Sequence, residues 1–138
     1  MSDAPARPLH PTGPVLVLLA LVADVALVTA FALTGRASHG ESPLIGLATT
    51  AWPFLAGLAI GWLASRAWRA PIAPLRTGIP VWLITVVGGM FFRVLSGQGV
   101  ALSFLIVTTI VLGVALIGWR GLSALARRLA SRARTRTR

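Results

Sequence analysis

The chain contains no cysteine, no lysine and no tyrosine, and its 138 residues include only three acids, Asp3, Asp24 and Glu41. Without cysteine there can be no disulfide, thiolate nucleophile or Cys-ligated metal, and the redox compartment stays undecided. The two histidines, His10 and His39, are far apart and have no second ligand at helical spacing, so no metal and no cofactor is expected. Charged residues make up only 12% of the chain. All thirteen basic residues are arginine, and the formal net charge is +10.

What is abundant is apolar sequence. The hydrophobic fraction is 56%, and the mean hydropathy is +0.83. These residues gather into four runs, at about 15–34, 44–64, 79–95 and 101–119. Each is close to the ~20 residues a helix needs to cross a bilayer's hydrocarbon core. The expected fold is therefore an all-α integral membrane protein, a four-transmembrane-helix antiparallel bundle of two hairpins. Residues 1–14 form a flexible cytoplasmic N-terminus, 15–119 the membrane domain and 120–138 a basic cytoplasmic tail. The small-residue triplet Ala30-Phe31-Ala32 resembles a leader cleavage site. The run before it is too long for a leader and carries Asp24, so it is read as a span.

A charge of +10 invites a nucleic-acid reading, but the arginines follow the topology. If four helices cross, every arginine except Arg36 and Arg93 falls on one side, shared by the N-terminus, second connector and C-terminus. That is the positive-inside pattern, placing both termini in the cytoplasm, and no nucleic-acid partner is needed to explain the charge. The tail carries Trp119, Leu122, Ala126, Leu129 and Ala133 at spacings of three or four with arginines between them. It reads as an amphipathic arginine-rich C-terminal helix on the anionic inner leaflet. Trp62, Trp68 and Trp119 suit an interfacial aromatic belt.

Pro14, Pro43 and Pro80 stand near the starts of apolar runs, and Ser42 with Glu41 suits the start of the second helix. Lipid offers no hydrophobic drive for helix association, so packing must come from close approach and polar contacts. Thr49, Pro53, Gly57, Gly61 and Ser65 recur every four residues, and Thr85, Gly89, Arg93 and Gly97 repeat the device. Both stripes are expected to face the bundle interior. Pro53 should leave a carbonyl free for another partner. A faint duplication also appears: Arg36, Gly40, Gly61 and Trp62 recur at one constant offset as Arg93, Gly97, Gly118 and Trp119.

Asp24 is the leading candidate residue, because a carboxylate in mid-span must face protein or water. Three states are open. It is ionised and paired with Arg93, or protonated and bonded to an oxygen such as that of Thr85, or it cycles between the two as proton-coupled transport requires. A vertical offset of roughly 10 Å counts against simple pairing with Arg93. Outside, Arg36, His39 and Glu41 form a polar cluster at the expected outer mouth. A hydrolase triad of Ser38, His39 and Asp24 fails on geometry, since neighbouring side chains diverge and Asp24 lies well below them.

Asp24, Gly35-Arg36 with His39, Trp52-Pro53-Phe54, Trp82, Thr85, Gly88, Arg93 and the closing Trp119-Arg120 together resemble the bacterial DUF3054 proteins. The resemblance covers about residues 15–120. It implies a small, mostly actinobacterial, multi-span membrane protein of the plasma membrane, and it suggests that Asp24, Arg36, His39 and Arg93 belong to one site. It supplies no mechanism. Three function classes follow. The first is a small transporter or channel-like protein centred on Asp24. Four helices enclose little room, so this role implies a homodimer, and the absence of tyrosine weakens the analogy with small multidrug transporters. The second is a non-catalytic scaffold or subunit that holds a membrane-protein partner. The third is a lipid-processing enzyme, for which no nucleophile or metal set is visible.

Overall fold

The computed structural model describes residues 13–40, 42 and 44–136. Most of the N-terminal segment, and Glu41 of the outer cluster, lie outside the described residues. Among those described there are helices and turns and no strand. Helix α1 spans Gly13–Ser38, α2 Leu47–Ser65, α3 Ile79–Leu95 and α4 Leu102–Arg136. All four are long and apolar enough to cross a membrane; for α3 this length includes the π-helical turn Pro74–Gly78 that leads into it.

The boundaries follow local chemistry. Helix α2 begins three residues later than its apolar run because Gly46 adopts a left-handed conformation, φ 79°, just before it. Ser42 therefore caps a turn, its hydroxyl accepting the Ile45 N–H at 3.4 Å, and does not cap the helix. The α1–α2 and α3–α4 connectors turn on Gly40 and Gly97, at φ 72° and 71°, where a side chain would be strained. Helix α4 shows the largest difference from the sequence expectation. No separate tail helix forms, because the alanine-, leucine- and arginine-rich stretch after Trp119 continues the same helix to Arg136.

The outer surface is apolar: Leu18, Leu19, Val22, Val87, Phe91, Ile110 and Val114 are all exposed. That suits hydrocarbon as solvent, with backbone groups satisfied inside each helix. Association then rests on close approach. A Cβ on Gly57 would lie 2.8 Å from the Thr85 carbonyl oxygen and 3.0 Å from the Gly89 nitrogen, and one on Gly61 would lie 3.2 Å from the Val81 carbonyl oxygen. The bare backbone of α2 thus lies directly on α3. Phe54 covers Gly89. Trp82 of α3 lies against Gly113 of α4 and donates its indole N–H to the Thr109 carbonyl at 2.9 Å.

Candidate functional site

Asp24 and Arg120 form the polar centre. Both are fully buried, at 0% exposure, and their closest approach is 2.6 Å between Nη2 and Oδ2. Arg120 Nη1 donates to Oδ1 at 2.9 Å, completing a two-pronged pair of the kind guanidinium and carboxylate geometry favours. Two indoles complete the shell: Trp62 donates to Oδ2 at 2.8 Å and Trp119 to Oδ1 at 2.9 Å. Each carboxylate oxygen accepts two hydrogen bonds, which uses nearly all its acceptor capacity. Arg120 also donates from Nε to the Pro71 carbonyl at 2.9 Å and from Nη1 to the Leu116 carbonyl at 2.8 Å. Its stem crosses the backbone of Gly78, where a Cβ would come within 3.3 Å. One ion pair therefore ties together α1, α2, α4 and the connector before α3.

A second polar region lies at the opposite end of the helices. A cleft of about 970 Å³ is lined by Arg36 and His39 from α1 and its turn, Thr50 from α2, and Arg93 and Gln98 from α3 and the loop after it. Gln98 is its keystone. Pro53 has no N–H, so the Thr49 carbonyl one turn earlier lacks its helical donor. Gln98 supplies one, its amide donating to Thr49 O at 3.0 Å, while its side-chain oxygen accepts from Arg93 Nη1 at 2.9 Å. Arg93 donates further to the Gly99 and Gln98 carbonyls at 3.3 and 3.4 Å and lies 4.4 Å from the Phe104 ring centroid. Every one of these partners is neutral. Arg36 reaches the Ser42 carbonyl at 3.1 Å and the Thr50 hydroxyl at 3.0 Å. No carboxylate lines the cleft among the described residues.

An aromatic floor separates the two regions. Phe31 meets Phe54 edge-on at 5.4 Å, and Phe104 stands 6.1 Å from Phe54 and 6.4 Å from Phe31. Phe31 is two turns, about 10 Å, along α1 from Asp24. The carboxylate consequently faces indoles and guanidinium and has no place in the cleft lining.

The grouping of Asp24, Arg93 and Thr85 into one intramembrane site is corrected by these positions. Arg93 stays above the phenylalanines, Asp24 lies below them, and the buried Thr85 hydroxyl donates to its own helix, to Val81 O at 2.6 Å. Arg36 and His39 do share one cleft, with Arg93 beside them. Of the packing residues, Pro53, Gly57, Gly61 and Gly89 are buried, whereas Thr49 is exposed and meets Gln98 through its carbonyl. Trp62 and Trp119 are not belt residues, because the buried carboxylate needs both N–H groups; Trp68 remains exposed. Arg120, assigned by sequence to the cationic tail, was missed as the partner of Asp24. The residue signal was the repeated Gly-Trp pair. Members of the duplication occupy matching places: Trp62 and Trp119 share Asp24. Likewise, Arg36 and Arg93 each send Nε to a carbonyl six residues ahead.

Chemically, the Asp24–Arg120 centre is a closed lock, whereas the cleft at the other end of the helices is open and lined by arginines. No group of three or more metal-ligating side chains occurs among the described residues. The fold and its buried ion pair define an all-helical protein with four membrane-capable helices. Residues 21–123 match the family described as Protein of unknown function (DUF3054), and the chain belongs to that family. No curated protein and no solved structure matches it.

Proposed function

We propose that this protein binds an anionic ligand in its outer cleft, and that the Asp24–Arg120 lock serves to hold the helices in place around it. In this reading the chain crosses the bacterial plasma membrane four times as two antiparallel hairpins with both termini in the cytoplasm. The register of the α2–α3 contact supports antiparallel packing of these neighbouring helices, since Gly57 meets Thr85 and Gly89 while Gly61 meets Val81. The distribution of arginines supports the orientation, with Arg36 and Arg93 on the outer side.

The observation that carries the binding reading is the state of Arg93. Its guanidinium is held in a cleft wall by carbonyls, an amide and a ring face, so its charge is positioned but not neutralised by an acid among the described residues. Three of its five N–H groups are engaged, which leaves donors for a ligand oxygen. Arg36 lines the same mouth, with the His39 imidazole beside it. Even with Glu41 in the adjacent connector, the cluster keeps an excess of positive charge.

Transport centred on Asp24 has less support, because its carboxylate is filled by four donors and lies beneath the phenylalanine floor. The test is calorimetric titration of glycerol phosphate into the protein held in zwitterionic nanodiscs. Arg93→Gln should weaken binding at least about tenfold, the worth of one charge-assisted pair. Arg128→Gln in the tail should leave it unchanged. Equal affinity in wild type and a folded Arg93→Gln variant would overturn the proposal.

A further inference from the structure

Resting on the anion-binding reading, we infer that the ligand of the outer cleft is an amphiphile: the anionic head group of an outer-leaflet lipid, with its hydrocarbon chain running down α4. The cleft is segregated by height. Arg36, His39, Thr50, Arg93 and Gln98 supply charge and hydrogen bonds at the outer end, Phe104 lies against Arg93, and Phe31, Ala32 and Val107 stand a turn or more further along their helices. That is the polarity order of a lipid entering head up.

Size supports the same class. About 970 Å³ is the scale of a pocket for a drug-sized molecule, far more than a bare oxyanion fills. The cleft is also open at hydrocarbon depth. Val107 stands five residues into α4, roughly 8 Å below its outer end, yet is 54% exposed. Below it on the same stripe, at spacings of four and three, Val111 is 42% and Val114 72% exposed. These residues form a continuous apolar track from the cleft wall down the lipid-facing side of the helix. A soluble anion would use only the upper half of this arrangement. A lipid uses all of it and can arrive laterally without leaving the membrane.

The experiment is native mass spectrometry of the full chain released from phosphatidylcholine nanodiscs doped with phosphatidylglycerol of the same acyl chains. A parallel calorimetric series uses glycerol phosphate and lysophosphatidylglycerols of increasing chain length. Wild type should retain phosphatidylglycerol at least about tenfold over its share of the bilayer, and affinity should rise with chain length. Arg93→Gln should abolish the enrichment. Val111→Trp, which blocks the apolar track below the cleft lining, should abolish the chain-length dependence while leaving glycerol phosphate binding intact. Glycerol phosphate binding with no chain-length dependence would overturn the lipid inference and leave the anion site standing. No binding of either probe would overturn both. Enrichment that survives Arg93→Gln but disappears when Arg127, Arg128 and Arg132 become glutamine would assign the lipid to the tail and overturn the inference.

Discussion

Replacing Arg120 with methionine tests whether the polar centre is structural. The change keeps an unbranched stem against Gly78 but removes both bonds to Asp24, at 2.9 and 2.6 Å, together with those to Pro71 and Leu116. The two indoles remain and cannot neutralise a fully buried carboxylate. Removing one member of such a pair costs about 3–5 kcal/mol. Asp24→Asn should cost a similar amount, because it leaves the guanidinium without its counter-charge and turns an amide N–H₂ toward other donors. With both changes no buried charge is left unpaired. The double variant should therefore lose about 2–3 kcal/mol less than the sum of the singles, near the top of the range seen for coupled neighbours. Reversible unfolding in mixed micelles, followed by tryptophan fluorescence, measures all four corners of the cycle. Trp62 and Trp119, two of the five tryptophans, touch the carboxylate, so the signal includes this site. Additivity within about 0.5 kcal/mol, or single losses below about 1 kcal/mol, would refute the lock.

Other outcomes follow from the packing. Gly57→Ala drives a methyl into the α3 backbone and should destabilise the fold by about 1–3 kcal/mol, whereas Gly118→Ala, inside α4 with nothing within 4 Å, should be neutral to slightly stabilising in the same assay. Thr108 is fully buried and its hydroxyl has no partner among the described residues, so Thr108→Val should raise stability by about 1 kcal/mol. The absence of native cysteine allows clean labelling of single introduced ones. Ala37→Cys should react with an impermeant thiol reagent from outside intact cells, and Ala130→Cys only after the membrane is opened. The reverse pattern would invert the topology.

The spans were legible because a lipid solvent demands long apolar helices, a property of composition and length that single residues barely disturb. Their ends were less so. Gly46 moved the start of α2 through a left-handed turn, which hydropathy does not register. The partner of Asp24 was hidden by two effects. Arg120 opens a run of tail arginines that topology explains collectively, and the fourth apolar run ends one residue before it. Helix rise alone disfavours pairing of Asp24 with Arg93, and Arg93 indeed lies beyond the phenylalanine floor. Pro53 signalled a spare carbonyl from sequence alone, but its acceptance of the Gln98 amide depends on a loop 49 residues away and needed the fold.

The central claim is that Asp24 is held as a carboxylate by one guanidinium and two indoles. The chain has only one other aspartate, Asp3, so aspartate labelled with ¹³C at the side-chain carboxyl reports Asp24 alone once Asp3→Asn is introduced. An infrared spectrum of that protein in lipid at neutral pH should show the labelled carboxylate stretches and no labelled protonated-carboxyl band. A protonated-carboxyl band from Asp24 would contradict the lock and return the residue to the proton-coupling role.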